Sequence, residues 1–230
     1  TRCKAELLER KSVTHDILSI RFKTDSAFLF LPGQYALLEL PGIGRRAYSM
    51  ANLPNNDGDI EFYIKKVPSG KISPLLFDKS LDPSQAVYVD GPYGLAHVRE
   101  SDRDRVCVAG GSGLAPMISI ARHHLQSGCD RKMLFFFGGR KMQDLISESE
   151  FFSLIGGSGN IEFISAVSED AGNADIRRGY IHEVLLSQLS GDLMDCDIYC
   201  AGPPVMVNAL ERSLYKISFP MERLYFDRFY

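Results

Sequence analysis

The spacing of apolar residues changes near residue 100, and this change divides the chain into two parts. Before it, short runs alternate between apolar and polar residues or are rich in β-branched and aromatic side chains, which is typical of strands. We predict six strands, at residues 3–8, 17–22, 35–40, 46–51, 60–66 and 86–89, and one helix at residues 72–79. Turn residues such as Pro32-Gly33 and Asn55-Asn56-Asp57-Gly58 separate the runs. Six short strands at this spacing predict an antiparallel barrel or sandwich.

After residue 102, strand-like runs alternate with helical ones. We predict strands at 106–109, 133–137, 161–167, 198–201 and 224–229, and helices at 114–125, 144–154, 181–189 and 205–214. This alternation predicts a five-stranded parallel sheet covered by helices on both faces. The predicted fold is therefore a six-stranded β-barrel over residues 1–100, followed by an α/β domain over residues 101–230.

Ligands of parallel sheets bind beyond the carboxyl ends of the strands. Four loops are expected at that edge: Gly110 to Gly113, Gly138-Gly139-Arg140, Ser168-Glu169-Asp170 and Ala201-Gly202-Pro203-Pro204. The first has three glycines in four residues and joins a strand to a helix. Glycines let a ligand approach the backbone, and a helix N-terminus attracts anions. The spacing differs from the common G-x-G-x-x-G fingerprint, so by itself an ordinary strand-to-helix turn explains it equally well.

Two segments of the first part also suit a phosphate-bearing ligand. Arg46-Ala47-Tyr48-Ser49 offers a guanidinium, an aromatic face and a hydroxyl, although an ordinary strand with exposed polar residues has the same composition. Gly70-Lys71-Ile72-Ser73 opens the predicted helix of this part and offers backbone N–H groups and a hydroxyl to an anion. Two phosphate-type sites in one β domain suit a pyrophosphate.

Composition excludes several classes of protein. The 230 residues carry a formal net charge of −3, which gives no electrostatic case for a nucleic-acid or membrane-surface partner. No apolar run is long enough to span a membrane, and the residues at the start of this sequence show no signal-peptide pattern. The five cysteines include no C-x-x-C pair, so we expect no disulfide scaffold and no metal site, and we expect a reducing cytoplasm.

Five motifs, taken together and in order, resemble the ferredoxin–NADP reductase superfamily. They are Arg46-x-Tyr48-Ser49, Gly70-x-x-Ser73, Gly91-Pro92-Tyr93-Gly94, Gly110-Gly111-Ser112-Gly113-Leu114-Ala115-Pro116 and Cys200-Ala201-Gly202-Pro203-Pro204. The sequence is most similar to the NADH-dependent reductase components of bacterial aromatic-ring oxygenases, such as those for carbazole or naphthalene. The resemblance spans residues 3–230.

This resemblance implies FAD and NADH as cofactors. Arg46 would hold the flavin pyrophosphate, Tyr48 would pack on the ring system or contact the ribityl chain, and Ser49 would lie near flavin N5. The implied FAD-binding residues are Arg46, Ala47, Tyr48, Ser49, Tyr63, Ile64, Lys65, Val67, Gly70, Lys71, Ile72, Ser73 and Phe226. Phe226 is the candidate lid over the flavin, and its alternative is a residue of a terminal core strand.

The resemblance also implies a nucleotide site at the edge of the second domain. Its residues would be Gly111, Ser112, Gly113, Arg140, Ser168, Glu169, Cys200, Gly202 and Pro203. Ser49 and Cys200 would be the catalytic pair, with Cys200 beside nicotinamide C4. A small hydrophobic residue buried at a strand end is the alternative for Cys200. The implied reaction is hydride transfer from NADH to FAD, followed by two single-electron steps to an acceptor.

One loop favours NADH over NADPH. In plant-type members of the superfamily an Arg follows the Ser of this loop and holds the 2′-phosphate, whereas this chain has Ser168-Glu169-Asp170. At about 4 Å and a surface-like dielectric, repulsion of a phosphate by a carboxylate is on the order of 4 kcal/mol before screening. Arg140-Lys141 is an alternative phosphate site.

The chain departs from these oxygenase reductases in one respect. They carry a [2Fe-2S] domain with C-x4-C-x2-C spacing, and this sequence has no such spacing. We expect the cluster in an N-terminal domain missing from this chain, of which the chain would be a fragment, or in a partner. Expected partners are a ferredoxin or [2Fe-2S] domain and, through it, a terminal oxygenase, with a monomeric chain. The alternatives are a freestanding ferredoxin, flavin or cytochrome reductase, and a non-catalytic FAD-binding electron-transfer subunit.

Overall fold

A computed structural model describes residues 1–81, 85–169, 176–189 and 193–228. The first part is a six-stranded antiparallel sheet with the order β4-β3-β6-β1-β2-β5. Its strands are β1 (Arg2–Ser12), β2 (Ile17–Thr24), β3 (Tyr35–Leu40), β4 (Gly44–Ser49), β5 (Asp59–Lys65) and β6 (Val87–Tyr93). The two ends of the sheet meet just beyond β4, where Met50 bridges Phe62 and the Ala51 N–H donates to Glu61 O at 2.8 Å. This closure confirms the predicted barrel.

Alternating side chains fill the barrel. Ile20 and Phe22 of β2, Leu38 of β3 and Phe62 of β5 are fully buried in one cluster. Helix α1 (Ser73–Phe77) closes the barrel, with Leu76 in the same cluster. It is shorter than the predicted helix at residues 72–79. The barrel core is therefore complete without any residue of the second part.

The second part is a parallel sheet between helices. Its strand order is β10-β9-β8-β7-β11-β12. The strands are β7 (Asp104–Gly110), β8 (Met133–Gly139), β9 (Ile161–Val167), β10 (Arg177–Arg178), β11 (Cys196–Gly202) and β12 (Leu224–Arg228). The helices are α2 (Leu114–Gln126), α3 (Glu148–Ile155), α4 (Ile181–Gln188) and α5 (Pro204–Lys216). Among the described helices, none combines the length and the apolar character needed to cross a bilayer.

Each face of this sheet has its own core. One face packs against α2, α3 and three barrel residues, Ile17, Ala51 and Tyr63. The other face packs against α4 and α5. The barrel therefore covers one face of the sheet only, and the alternation of each strand decides which side chains face the barrel.

The structure adds detail to the predicted elements. The two-residue strand β10 pairs with the end of β9 as a sixth parallel strand. The predicted helix at 144–154 begins later, because Ser147 and Glu150 form a capping box at the start of α3. The Ser147 hydroxyl accepts the Glu150 N–H at 3.2 Å, and the Glu150 carboxylate accepts the Ser147 N–H at 2.7 Å. The signature S-x-x-E was present in the sequence.

A partly buried arginine joins the two parts. Arg122 of α2 donates to Ala51 O at 2.8 Å and to the Glu61 carboxylate at 2.6 Å, both in the barrel. Its other donors reach Leu154 O of α3 at 2.8 and 2.9 Å. Ser119, one helical turn earlier, donates to Asn52 O at 2.8 Å. Helix α2 is thus fixed to the segment that closes the barrel.

We expect Arg122→Ala to destabilise the protein by about 1–3 kcal/mol, because it leaves the partly buried Glu61 carboxylate without its cation and two carbonyl groups without their donor. Urea unfolding of the two proteins measures this loss. Arg21→Ala is the matched control, since Arg21 pairs with carboxylates on the exposed barrel surface and should contribute less than about 1 kcal/mol. Equal effects of the two substitutions would contradict the role of Arg122.

Candidate functional site

The loops at the carboxyl edge of the parallel sheet lie side by side. The Ser168 N–H donates to Gly139 O at 3.0 Å, and the Glu169 N–H donates to Arg140 O at 2.9 Å. On the other side of β7, the loop after β11 packs against the glycine turn at residues 110–113. All four loops therefore lie at the predicted edge of the sheet, and Asp170 of the third loop lies outside the described residues.

The three glycines of the turn have different roles. A side chain at Gly113 would place its Cβ 2.0 Å from Ala201 O, so this glycine is required for packing against β11. A side chain at Gly110 would meet Met206 Sδ at 2.6 Å. Gly111 has φ +56°, and only Lys65 lies within 4 Å of where its Cβ would be. Gly111 and the half-buried Ser112 thus present the part of the turn that a ligand can approach.

Lys65 of the barrel brings a positive charge to the glycine turn. Its Nζ lies 3.7 Å from the Cβ position of Gly111 and 3.0 Å from the Asp16 carboxylate. A cation beside an open glycine at the start of a helix is suited to binding a phosphate group. The implied role of Lys65 as a cofactor contact is therefore sterically possible from the barrel side of the cleft.

The loop after β8 holds Arg140 at the same edge. The Asp144 carboxylate accepts the N–H groups of Arg140 and Lys141, both at 2.9 Å. The Arg140 side chain is exposed, whereas a side chain at Gly139 would meet Asp144 Cβ at 2.9 Å. Close packing of this loop therefore fixes the backbone and leaves the guanidinium available to a ligand.

In the barrel, β4 has an open edge. It pairs with β3 on one side, and along Gly44–Ser49 no other described strand pairs with it. Arg46 and Ala47 are exposed there, and Tyr48 is half-buried with its ring 6.2 Å from that of Phe62. Burial raises the pKa of Tyr48 to about 12, so its hydroxyl remains a neutral donor. The edge thus offers main-chain groups, a guanidinium and a phenol in sequence.

The hydrogen bonding of Ser49 indicates whether a flavin would fit this edge. Its Oγ is buried and has no hydrogen-bond partner among the described residues. Such a group costs about 1–3 kcal/mol when nothing satisfies it. A polar ring atom of a flavin would supply the missing partner, so the residues present fit the group.

The loop at residues 67–73 is closed by Ser73. The Ser73 Oγ accepts the Val67 N–H at 3.0 Å, and a side chain at Gly70 would meet that Oγ at 3.1 Å. Val67 and Lys71 are exposed, and Ile72 is buried in the barrel core. The hydroxyl of Ser73 is thus already engaged in shaping the loop, and main-chain groups and Lys71 remain to contact a ligand.

Two further barrel residues expected at the flavin are fully buried. Tyr63 lies in the cluster between the two parts, and Ile64 lies in the barrel core. Burial raises the pKa of the Tyr63 phenol well above its usual range. A ligand at this strand would therefore contact main-chain atoms of Tyr63 and Ile64 and not their side chains.

Comparisons with known proteins agree with this arrangement. The family described as oxidoreductase FAD-binding domain matches residues 4–98, and the oxidoreductase NAD-binding domain matches residues 107–212. A ferredoxin–NAD(P)+ reductase named CarAd from Metapseudomonas resinovorans is 37% identical over 235 residues, covering 100% of this chain and 70% of that protein. The reductase component of a naphthalene 1,2-dioxygenase system from Pseudomonas putida is 33% identical, covering 99% of this chain and 69% of that protein.

A solved structure matches as well. The ferredoxin reductase in carbazole 1,9a-dioxygenase superimposes with a TM-score of 0.92 at 35% identity, covering 100% of this chain and 70% of that one. This chain belongs to the ferredoxin–NAD(P)+ reductase family. The resemblance inferred from the five motifs and the predicted two-part fold are thereby confirmed.

Within this family fold, the structure corrects the assignment of Cys200. The Cys200 side chain is fully buried on the α5 face of the sheet, away from the barrel. Its neighbour Ala201 lies on the barrel-facing side. Burial raises the pKa of the Cys200 thiol far above its usual range. Cys200 is therefore a small core residue, the alternative considered for it, and its thiol does not line the cleft of this family member.

The structure also corrects the assignment of Phe226. Its ring packs on the α5 face, with the Arg228 guanidinium 4.5 Å from the ring centroid. Alternation along β12 instead directs Asp227 toward the barrel, where its Oδ2 lies 3.7 Å from the Cβ position of Gly94. That oxygen is buried without a hydrogen-bond partner among the described residues, and burial raises the pKa of Asp227. Residues 229–230 lie outside the described part of the chain.

Two residues at the site were missed by sequence reasoning. Asp227 could have been found from the alternation of the last strand, because successive side chains of a strand point to opposite faces and Asp227 follows Phe226. Arg178 lies on β10 beside Val167, next to the loop that carries Glu169. Sequence reasoning could not have found Arg178, because a strand of two residues is too short to show an alternating pattern.

We expect iodoacetamide at pH 8 to modify the half-exposed Cys129 of the folded protein and to leave Cys200 unmodified. Alkylation requires the thiolate, and burial both covers Cys200 and raises its pKa, so the reactive form is scarce until the pH is far above 8. Peptide mass spectrometry measures the modification of each cysteine. All five should react in urea, and modification of folded Cys200 as rapid as that of Cys129 would show that the thiol reaches the cleft.

Proposed function

We propose that this chain binds FAD along the open edge of β4, accepts reducing equivalents from NADH bound at the glycine turn, and passes single electrons to a [2Fe-2S] ferredoxin or ferredoxin domain. The observation that carries this proposal is the contact of the barrel with the glycine turn, where Lys65 reaches Gly111. One cleft therefore has a flavin-type edge on one side and a nucleotide-type turn on the other.

The flavin side is supported by the charges and hydrogen-bonding groups present. Arg46 would bind the pyrophosphate together with main-chain groups of the 67–73 loop, because an exposed guanidinium matches phosphate geometry. Tyr48 would pack against the ring or the ribityl chain, and Ser49 Oγ would hydrogen-bond a ring heteroatom. The fully buried Phe62 supports Tyr48 from the barrel core.

The nucleotide side is supported by the paired loops. Gly111 and Ser112 would bind the pyrophosphate of the nucleotide, with Lys65, which the resemblance assigned to FAD, beside them on the barrel side. Arg140 would contact the ribose or pyrophosphate of the nucleotide. Gly202 and Pro203 shape the end of β11 against the turn, since a side chain at Gly202 would lie 3.0 Å from Gly110 O. With Cys200 in the core, Ala201 and Asp227 are the barrel-facing residues nearest the carboxyl ends of β11 and β12.

FAD supplies the conversion of a two-electron hydride donor into single electrons. The protein's own contribution is to hold two ring systems at one cleft and to exclude water from it. Asp227 and Ser49 are the polar side chains best placed to hold protons there. Because burial raises the pKa of Asp227, its carboxyl is protonated over a wider pH range than an exposed one.

Electron delivery to an iron–sulfur partner is supported by the relatives. The similar proteins are named as reductases of carbazole, naphthalene and alkene oxygenase systems. We infer that this chain likewise serves an oxygenase, through a cluster outside residues 1–230.

We expect the purified chain to take up FAD, to become yellow, and to bleach when NADH is added without oxygen. The flavin absorbance band measures both steps. A yellow protein that does not bleach with NADH or NADPH would favour a non-catalytic electron-transfer subunit. A protein that cannot bind FAD would contradict the proposal entirely.

We expect NADH to be preferred over NADPH, and Glu169→Arg to raise the ratio of kcat/KM for NADPH to that for NADH by about tenfold. The substitution replaces repulsion of the 2′-phosphate by attraction, at an exposed site where salt weakens both. Steady-state kinetics with ferricyanide as acceptor measures the ratio. Glu162→Arg is the matched control, since Glu162 lies at the opposite end of β9 beside Lys132. An unchanged ratio in Glu169→Arg would mean that the 2′-phosphate binds elsewhere.

A further inference from the structure

The turn between β1 and β2 reaches from the barrel to the nucleotide domain. His15, at its tip, has its Nδ1 2.8 Å from Gln143 O, across 128 residues of sequence. Its Nε2 lies 3.4 Å from Gln143 Nε2. The two contacts are compatible when Nδ1 carries the hydrogen and donates to the carbonyl, while Nε2 accepts from the amide. One exposed side chain of the barrel thus binds one residue of the second domain at two points.

Gln143 belongs to the short segment that fixes Arg140. The next residue, Asp144, accepts the N–H groups of Arg140 and Lys141, both at 2.9 Å. The other oxygen of the Asp144 carboxylate lies 3.7 Å from His15 Nδ1. His15 therefore contacts both the backbone and the carboxylate that determine where the Arg140 backbone lies.

The turn that carries His15 is itself rigid. The N–H groups of Val13 and Thr14 both donate to Ile17 O, at 2.9 and 3.2 Å. Asp16 O accepts the Lys66 N–H at 2.8 Å, and the Asp16 carboxylate pairs with Lys65 at 3.0 Å. The turn is thus anchored to the same strand end that reaches the glycine turn.

We propose that His15 is a positioning residue for the pyridine nucleotide, acting through the Arg140 loop. This role of His15 rests on the proposed function, in which Arg140 contacts the nucleotide. Among the described residues, the polar contacts of His15 are with Asp16, Gln143 and Asp144, so it acts by holding residues 140–144 at the distance from the barrel that the bound nucleotide requires. The barrel then contributes to nucleotide affinity through a side chain that touches neither cofactor.

A purely structural role would have a different signature. The His15 side chain is 40% exposed and belongs to no core cluster, so its removal should change the stability of the fold little. Loss of its hydrogen bonds should instead allow the Arg140 loop to move, which weakens binding by about threefold to tenfold. The effect should appear in KM for NADH and in the Kd of NAD+, with kcat changed less than twofold.

The experiment uses the FAD-loaded chain and two substitutions at one position. Isothermal titration with NAD+ gives Kd, and NADH-dependent reduction of ferricyanide gives KM and kcat. We expect His15→Ala to raise Kd and KM, and His15→Gln to restore most of the loss, because its amide can donate to Gln143 O. The control is His123→Ala, at the end of α2 away from this loop, which should leave all three constants unchanged. Flavin content and urea midpoint should be equal in all variants.

A double substitution tests whether His15 acts through Arg140. Arg140→Ala should weaken NAD+ binding, and adding His15→Ala to it should weaken binding no further. Independent losses, or an unchanged Kd in His15→Ala, would overturn the inference while leaving the proposed function intact. An unchanged Kd in Arg140→Ala would overturn it as well. If the FAD-loaded protein does not bind NAD+ at all, the proposed function fails first.

Discussion

The fold depends on the hydrogen bonds of one partly buried guanidinium between the two parts of the chain. Arg122 donates to Ala51 O and the Glu61 carboxylate in the barrel and to Leu154 O in α3 at the same time. Moving either part would leave a carboxylate and several donors without partners. The barrel and the α/β part are therefore held in one relative position.

This junction also determines where the ligand cleft lies. Arg122 belongs to the helix that starts at the glycine turn, and its acceptor Ala51 follows Ser49 by two residues. Helix α2 and the end of β4 are thus connected through the Arg122–Ala51 hydrogen bond. Ser49 Oγ, at the end of β4, and Asp227 Oδ2, beside Gly94, are both buried without hydrogen-bond partners among the described residues. Buried polar atoms without partners are costly in a finished core and are typical of a site that a ligand completes.

The glycines of the site illustrate the same constraint. Sequence reasoning connected the glycines of the 110–113 turn with ligand approach, with an ordinary strand-to-helix turn as the alternative, and of these three only Gly111 is open to a ligand. A glycine is needed at position 113 because Ala201 O lies where a side chain would be. A glycine is needed at position 139 because the Asp144 side chain lies where its Cβ would be. Most of the glycine pattern therefore brings loops into contact with one another, and the exposed groups between them, Ser112 and Arg140, remain for the ligand. A motif can thus be recognised correctly even when the physical reason for its residues is packing.

The two-part architecture could be predicted from the sequence, because short strand-like runs fill the first hundred residues and alternate with helical runs after residue 102. The edge at which the loops gather could be predicted as well, since all strands of a parallel sheet end at the same edge. Which side of β11 and β12 faces the barrel depends on how the layers pack, and the folded chain places Ala201 and Asp227 there instead of Cys200 and Phe226. Alternation defines two faces of a strand but does not say which layer covers each. Contacts such as His15 with Gln143 were likewise decided only by folding, because no local pattern relates residues 128 positions apart.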